Sequence, residues 1–181
     1  DYGVFWYVTV LNSDGTPPVA PFTFGAGPKV VGTEVPSGTY RTRAGSSACY
    51  WQRLSGFGGT FDEIIANNNT DYPEVVTIAP TDRGFDSTRC AIWTNDLSAI
   101  TPGPSAPFGG GTYIVGTDIS AGTWRALASS GCYWARLSGF SGRGIDEIIA
   151  NDNTDNGALV TISGTDKGFT STRCGVWTKV G

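Results

Sequence analysis

Apolar side chains recur at alternate positions in several short stretches of this chain, and clusters of Gly, Pro, Asn, Asp and Ser interrupt them. Alternation of this kind marks a strand with one buried face, because successive side chains leave opposite sides. It predicts strands over 29–34, 39–43, 49–54, 63–66, 75–78 and 91–94, with a turn at Pro36, Ser37 and Gly38 and an Asn-rich loop at 67–71. Phe61, Ile64 and Ile65 also fit a single helical turn. The strongest strand comes first. Val4, Trp6, Val8 and Val10 share one face, while Phe5, Tyr7, Thr9 and Leu11 share the other. Both faces call for burial, which makes such a strand a hazard when it is left free at a sheet edge.

The pattern repeats. VGTEVPSGTYR at 31–41 returns as VGTDISAGTWR at 115–125, CYWQRLSGF at 49–57 as CYWARLSGF at 132–140, and TDRGFDSTRC at 81–90 as TDKGFTSTRC at 165–174. The single-residue insertions and deletions fall in Gly/Ser-rich turns, where surface loops tolerate them. The expected layout is an N-terminal strand and Pro-rich linker at 1–24, a first module at 25–95, a stiff Pro/Gly-rich linker at 96–110 and a second module at 111–181. The fold class is all-β, two tandem sandwich or barrel-like modules plus an extra N-terminal strand. Residues 1–20 resemble the closing strand and linker of a module whose body is absent.

Each copy carries two cysteines, so the repeat pairs Cys49 with Cys90 and Cys132 with Cys174. A closed loop of this length stabilises a small module by about 4 kcal/mol in the chain-entropy account. Zinc is disfavoured, since close Cys–Cys spacings are missing and the chain has no His.

Composition narrows the function. Glycine (26) and proline (10) are abundant and charged residues make up 15%, which suits short strands joined by tight turns. A net charge of −4 without a Lys/Arg cluster excludes a nucleic-acid partner. No apolar run is long enough to span a bilayer. The chain starts at Asp1 and contains no Met, as expected once a signal peptide has been removed.

Three sets of residues invite chemistry. Asp62/Glu63 and Asp146/Glu147 are paired carboxylates, but neighbours on a strand point to opposite faces and cannot flank one glycosidic bond. A structural role follows, with one carboxylate of each pair expected to meet Arg53 or Arg136 in an ion pair. Asn151, Asp152, Asn153 and Asp155 offer oxygen ligands for a weakly held calcium, although Asn and Asp are also ordinary turn residues. Tyr40, Tyr50, Trp51, Trp93, Trp124, Tyr133, Trp134 and Trp177 could stack on sugars; most are expected in the core. Serine and cysteine triads lack their His base. No catalytic residue and no cofactor are expected.

Together GTYR, CYWxRLSGF, IIANxN, VTI, TDxGF and CxxW resemble a small module repeated in secreted and lipid-anchored actinobacterial proteins. The resemblance covers 27–94 and 111–178, implies an extracellular setting and carries over no catalytic residue. The expected function is a secreted structural subunit whose partners are copies of itself, joined head to tail by addition of the 4–11 strand to a neighbour's sheet. The runner-up is a module that binds polysaccharide, its two linked sites giving avidity.

Overall fold

The computed structural model describes residues 19–127 and 129–180. The strand expected at Val4 to Leu11 lies outside them. The first module holds β1 (Thr23–Phe24), β2 (Lys29–Val30), β3 (Gly38–Thr42), β4 (Cys49–Leu54), β5 (Ile64–Thr70), β6 (Val75–Ile78), β7 (Gly84–Thr88) and β8 (Trp93–Thr94). The second holds β9 (Gly111–Ile114), β10 (Gly122–Ala126), β11 (Cys132–Leu137), β12 (Ile148–Thr154), β13 (Ala158–Ile162), β14 (Gly168–Thr172) and β15 (Trp177–Lys179).

Each module is two antiparallel sheets. In the first they run β1-β8-β3-β6 and β2-β7-β4-β5; in the second, β13-β10-β15 and β12-β11-β14-β9. The all-β, two-module expectation holds. Strand β4 shows how sequence makes the core: Cys49, Trp51 and Arg53 point inward while Tyr50, Gln52 and Leu54 stay half-exposed. Trp93 lies edge-on to Phe85 at 5.3 Å and stacked on Phe24 at 6.4 Å, and Trp177 repeats this with Phe169 at 5.1 Å and Phe108 at 6.3 Å. Both indoles donate to a buried serine, Ser87 or Ser171. The disulfides are Cys49–Cys90 and Cys132–Cys174, one per module.

Several sequence expectations are corrected. The strand expected over 29–34 stops at Val30, because Val30's carbonyl closes a turn with the amides of Thr33, Glu34 and Val35. The Asn-rich stretch is not a loop: Asn67, Asn68 and Asn69 continue β5, opposite Gln52, Trp51 and Tyr50. An edge position lets asparagine face solvent while its backbone pairs, so tertiary pairing overrides weak β-propensity. Phe61–Glu63 forms one 3-10 turn ahead of that strand.

Residues 96–110, expected as a stiff linker between the modules, are packed against both of them. Phe108 is buried in the second module and exchanges backbone hydrogen bonds with Trp177, at 3.2 and 2.8 Å. Ser98's carbonyl accepts from Arg41 and Arg43, and Pro104's from the Ser120 amide. The first module likewise begins before residue 25, since Thr23 and Phe24 pair with Thr94 and Trp93.

The last correction concerns the arginines. Arg53 meets Asp82, not a carboxylate of the 62/63 pair, through Nε at 2.7 Å and Nη2 at 2.8 Å. Arg136 meets Asp166 in the same way, at 2.6 and 2.9 Å. Both aspartates close the turn before β7 or β14 and also accept an amide there, from Ala79 or Ser163. The aspartate of TDxGF is thereby explained. Burial pushes Asp166 up, but Arg136 and the Ser163 amide outweigh it and hold its carboxyl below the ordinary range.

Candidate functional site

The residues singled out from sequence mostly serve the fold. Trp51, Trp93, Trp124, Trp177 and Tyr40 are core side chains, whereas Tyr50, Tyr133 and Trp134 are half-buried. Asn151, Asp152 and Asn153 lie on β12, so Asp152 leaves the face opposite to its two neighbours. Asp155 holds a turn by accepting the Gly131 amide at 2.6 Å, as Asp71 accepts that of Ala48. The four are not gathered round one point. Among the described residues, no group of three or more His, Cys, Asp or Glu is placed to hold a metal ion.

Glu63 and Glu147 hold loops. Glu63 takes backbone amides from Gly58, Thr60 and Gly59, and these bonds keep its carboxyl below the usual range. Glu147 accepts the Ser141 amide at 2.7 Å. A Cβ on Gly56 or Gly139 would stand 2.2 Å from the glutamate, so the SGF glycine makes room for it. The following phenylalanine, Phe57 or Phe140, rests on the glycine of TDxGF, where a Cβ on Gly84 or Gly168 would meet the ring at 2.6 or 2.3 Å. SGF, DEII and TDxGF therefore form one local device that fixes the loop after β4 or β11.

In the second module that loop touches the first module, and the contact is the most elaborate feature of the surface. The Thr77 amide of β6 donates to Phe140's carbonyl at 2.7 Å. Arg53 spends its third nitrogen, Nη1, on Ser141's carbonyl at 2.6 Å. Gly142, at φ +72°, lies over Trp51, whose ring a Cβ there would meet at 2.4 Å. Farther along, the Thr112 amide donates to Pro73's carbonyl, and Gly110 lies against Tyr72.

At one end of the seam Arg41, on β3, reaches Asp118, in the turn after β9. Nη1 and Nη2 donate to the two carboxylate oxygens at 3.1 and 3.0 Å, and both side chains have no solvent exposure. Asp118 also accepts the amides of Ile114 and Ile100. Burying two charges costs several kcal/mol per ion, which only dense hydrogen bonding offsets.

Beside the seam lies a cleft of about 240 Å3 lined by residues of both modules, among them Trp51, Glu74, Thr112, Tyr133 and Phe140. Glu74 is buried at its side; its oxygens accept from Thr112 Oγ1 at 3.2 Å and Trp51 Nε1 at 3.4 Å. Burial pushes its carboxyl up to about 7, against the lowering effect of Asn68, Thr112 and Trp51. None of Arg41, Asp118 and Glu74 was singled out as a site from sequence. The signal for the ion pair was that Arg41 and Asp118 are charged in both copies, as Arg125 and Glu34.

Residues 22–94 and 105–178 each match the model of the Rv1352-like extracellular domain. With both copies matched over most of its length, the chain belongs to that family, and the protein is extracellular. No curated protein and no solved structure matches it.

Proposed function

We propose that this member of the Rv1352-like extracellular domain family is a structural subunit, not an enzyme, and that its copies join head to tail into a filament or surface layer. The observation that carries this reading is the seam: two modules of one sequence pattern are locked together through two unlike faces. A contact between unlike faces is heterologous and propagates unless it closes into a ring. The proposed route of joining includes addition of Val4 to Leu11 to a neighbour's sheet. It is supported by the two-faced apolar pattern and by the Pro-rich stretch at 16–21, which resists folding back. Sedimentation velocity and electron microscopy of the full chain, beside a form lacking residues 1–20, test it. Concentration-dependent polymers lost on deletion, with both disulfides intact, support the reading. Monomers at every concentration overturn it.

A polysaccharide-binding role is favoured by a separate feature, a groove in the first module lined by Tyr50, Gln52, Phe57, Phe61 and Asp86. Phe61 is 91% exposed there, and aromatic faces beside amide and carboxylate groups suit sugar rings. Retention on cellulose, chitin or peptidoglycan that Phe61→Ala abolishes would establish this second reading.

A further inference from the structure

We infer that the open face of the second module docks on the open face of the first module of another copy of this chain, repeating between chains the seam that joins the modules within one. The inference rests on the head-to-tail reading and names its surface.

The repeat carries each side of the seam onto a free face. Arg41, Arg53, Trp51, Glu74, Val75 and Thr77 become Arg125, Arg136, Trp134, Ala158, Leu159 and Thr161 on the second module. Asp118, Thr112, Phe140, Ser141 and Gly142 become Glu34, Pro28, Phe57, Gly58 and Gly59 on the first. The residues of each set adjoin one another. Arg125, Ala158 and Leu159 line one shallow groove, and Pro28, Glu34 and Phe57 line another.

Complementarity survives the substitutions. Arg125 and Glu34 keep the charges of Arg41 and Asp118, and both are exposed. Glu34 already makes the local bond that Asp118 makes, accepting the Val30 amide at 2.7 Å as Asp118 accepts that of Ile114. What it lacks is an arginine. Where Glu74 accepts from Thr112 within the chain, the free faces carry Ala158 and Pro28. The Thr112 donor and its Glu74 acceptor have thus been replaced together by apolar groups, whereas the Trp134 indole N–H, whose counterpart in Trp51 donates to Glu74, is left buried without a partner.

The free faces also carry apolar surface that the seam covers. Leu159 is 60% exposed where Val75 is 4%, and Phe57 is 55% exposed where Phe140 is half-buried. Gly59 keeps the backbone of Gly142, at φ +77° against +72°, yet nothing lies within 4 Å of a Cβ placed on it. Trp134 is only half-buried, like a Trp51 without its covering glycine. Strand β13 is a sheet edge, as β6 is, so the Thr161 amide can donate to Phe57's carbonyl as Thr77's does to Phe140's. Besides the Glu74–Thr112 bond, a backbone bond is lost, because Pro28 has no amide to match that of Thr112. The contact between chains is therefore weaker than the seam and reversible.

Charge reversal on each face tests this. Sedimentation velocity is run on the wild type, on Arg125→Glu, on Glu34→Arg and on an equimolar mixture of the two variants, with circular dichroism as a check of folding. Each variant alone opposes like charges and should need at least about tenfold more protein to assemble. The mixture should recover, because every contact in an alternating polymer then pairs opposite charges. Glu34→Gln, which keeps a hydrogen-bonding side chain in the turn, should weaken assembly less than Glu34→Arg. Wild-type assembly with both variants unchanged, or variants that the mixture does not rescue, overturns the inference while leaving head-to-tail assembly standing. A wild type that stays monomeric overturns both.

Discussion

Arg41 and Asp118 stand 77 positions apart in the chain and form a doubly hydrogen-bonded ion pair from which solvent is excluded on both sides. Two charges this deeply buried hold the modules in one register, because any shift strands a charge without water or partner. Asp118→Ala should therefore cost about 3 to 5 kcal/mol and split the unfolding of the two modules into separate transitions. Calorimetry reads this directly. A single unshifted transition would contradict the role given to the pair.

Glu74 makes the seam sensitive to pH. Its folded carboxyl titrates at about 7, above the ordinary value of 4.5, so the folded state binds a proton that the unfolded state has released between those values. That contribution is fully present below pH 4.5 and is lost as pH rises through 7, to the extent of about 3 kcal/mol. Glu74→Gln should be the more stable protein at pH 8 and should flatten the profile between pH 5 and 8. Urea melts of both proteins across that range decide it; a wild type that gains stability on passing from pH 5 to 8 relative to the variant refutes the assignment.

Gly142 and Gly59 share a backbone conformation but not a neighbour, which separates strain from packing. Alanine at either position adds the strain of a positive φ, about 1 kcal/mol. Only Gly142→Ala also drives a Cβ into Trp51, and it should cost a further 1 to 3 kcal/mol or so. Equal losses in thermal melts would mean that the loop does not bear on Trp51.

Each disulfide closes a loop within its own module, with sequence separations of 41 and 42. Replacing Cys49 and Cys90 together by serine should lower the stability of the first module by about 4 kcal/mol and move the shared transition to lower temperature. Mass spectrometry of unreduced peptides should show no Cys49 linked to Cys132 or Cys174.

Much of the fold was legible because it is written twice. The period exposed the modules and the cysteine pairing, and alternation placed β4 with its bounds intact. The asparagines of β5 and β12 misled, since at a sheet edge the partner strand, not the side chain, decides the conformation. Arg53 was seen as paired, yet its partner came from the TDxGF turn, a contact that no local pattern announces. The seam was illegible for a related reason. Phe108 looked like part of a Pro-rich linker, and its place beside Trp177 shows that this end of the linker is packed into the second module, while Arg41 and Asp118 hold the two modules together. Residues that bind two modules look in sequence like any other Arg, Asp or Gly; comparing their exposure between copies sets them apart.

The most direct test of the central claim is the spacing of modules along the assembled protein, measured by electron microscopy of the full chain. If the seam is repeated between chains, modules follow one another at one uniform interval, with no gap at chain boundaries beyond a weak modulation at twice that interval. Isolated two-module particles at every concentration, or side-by-side pairs related by a two-fold axis, would contradict it.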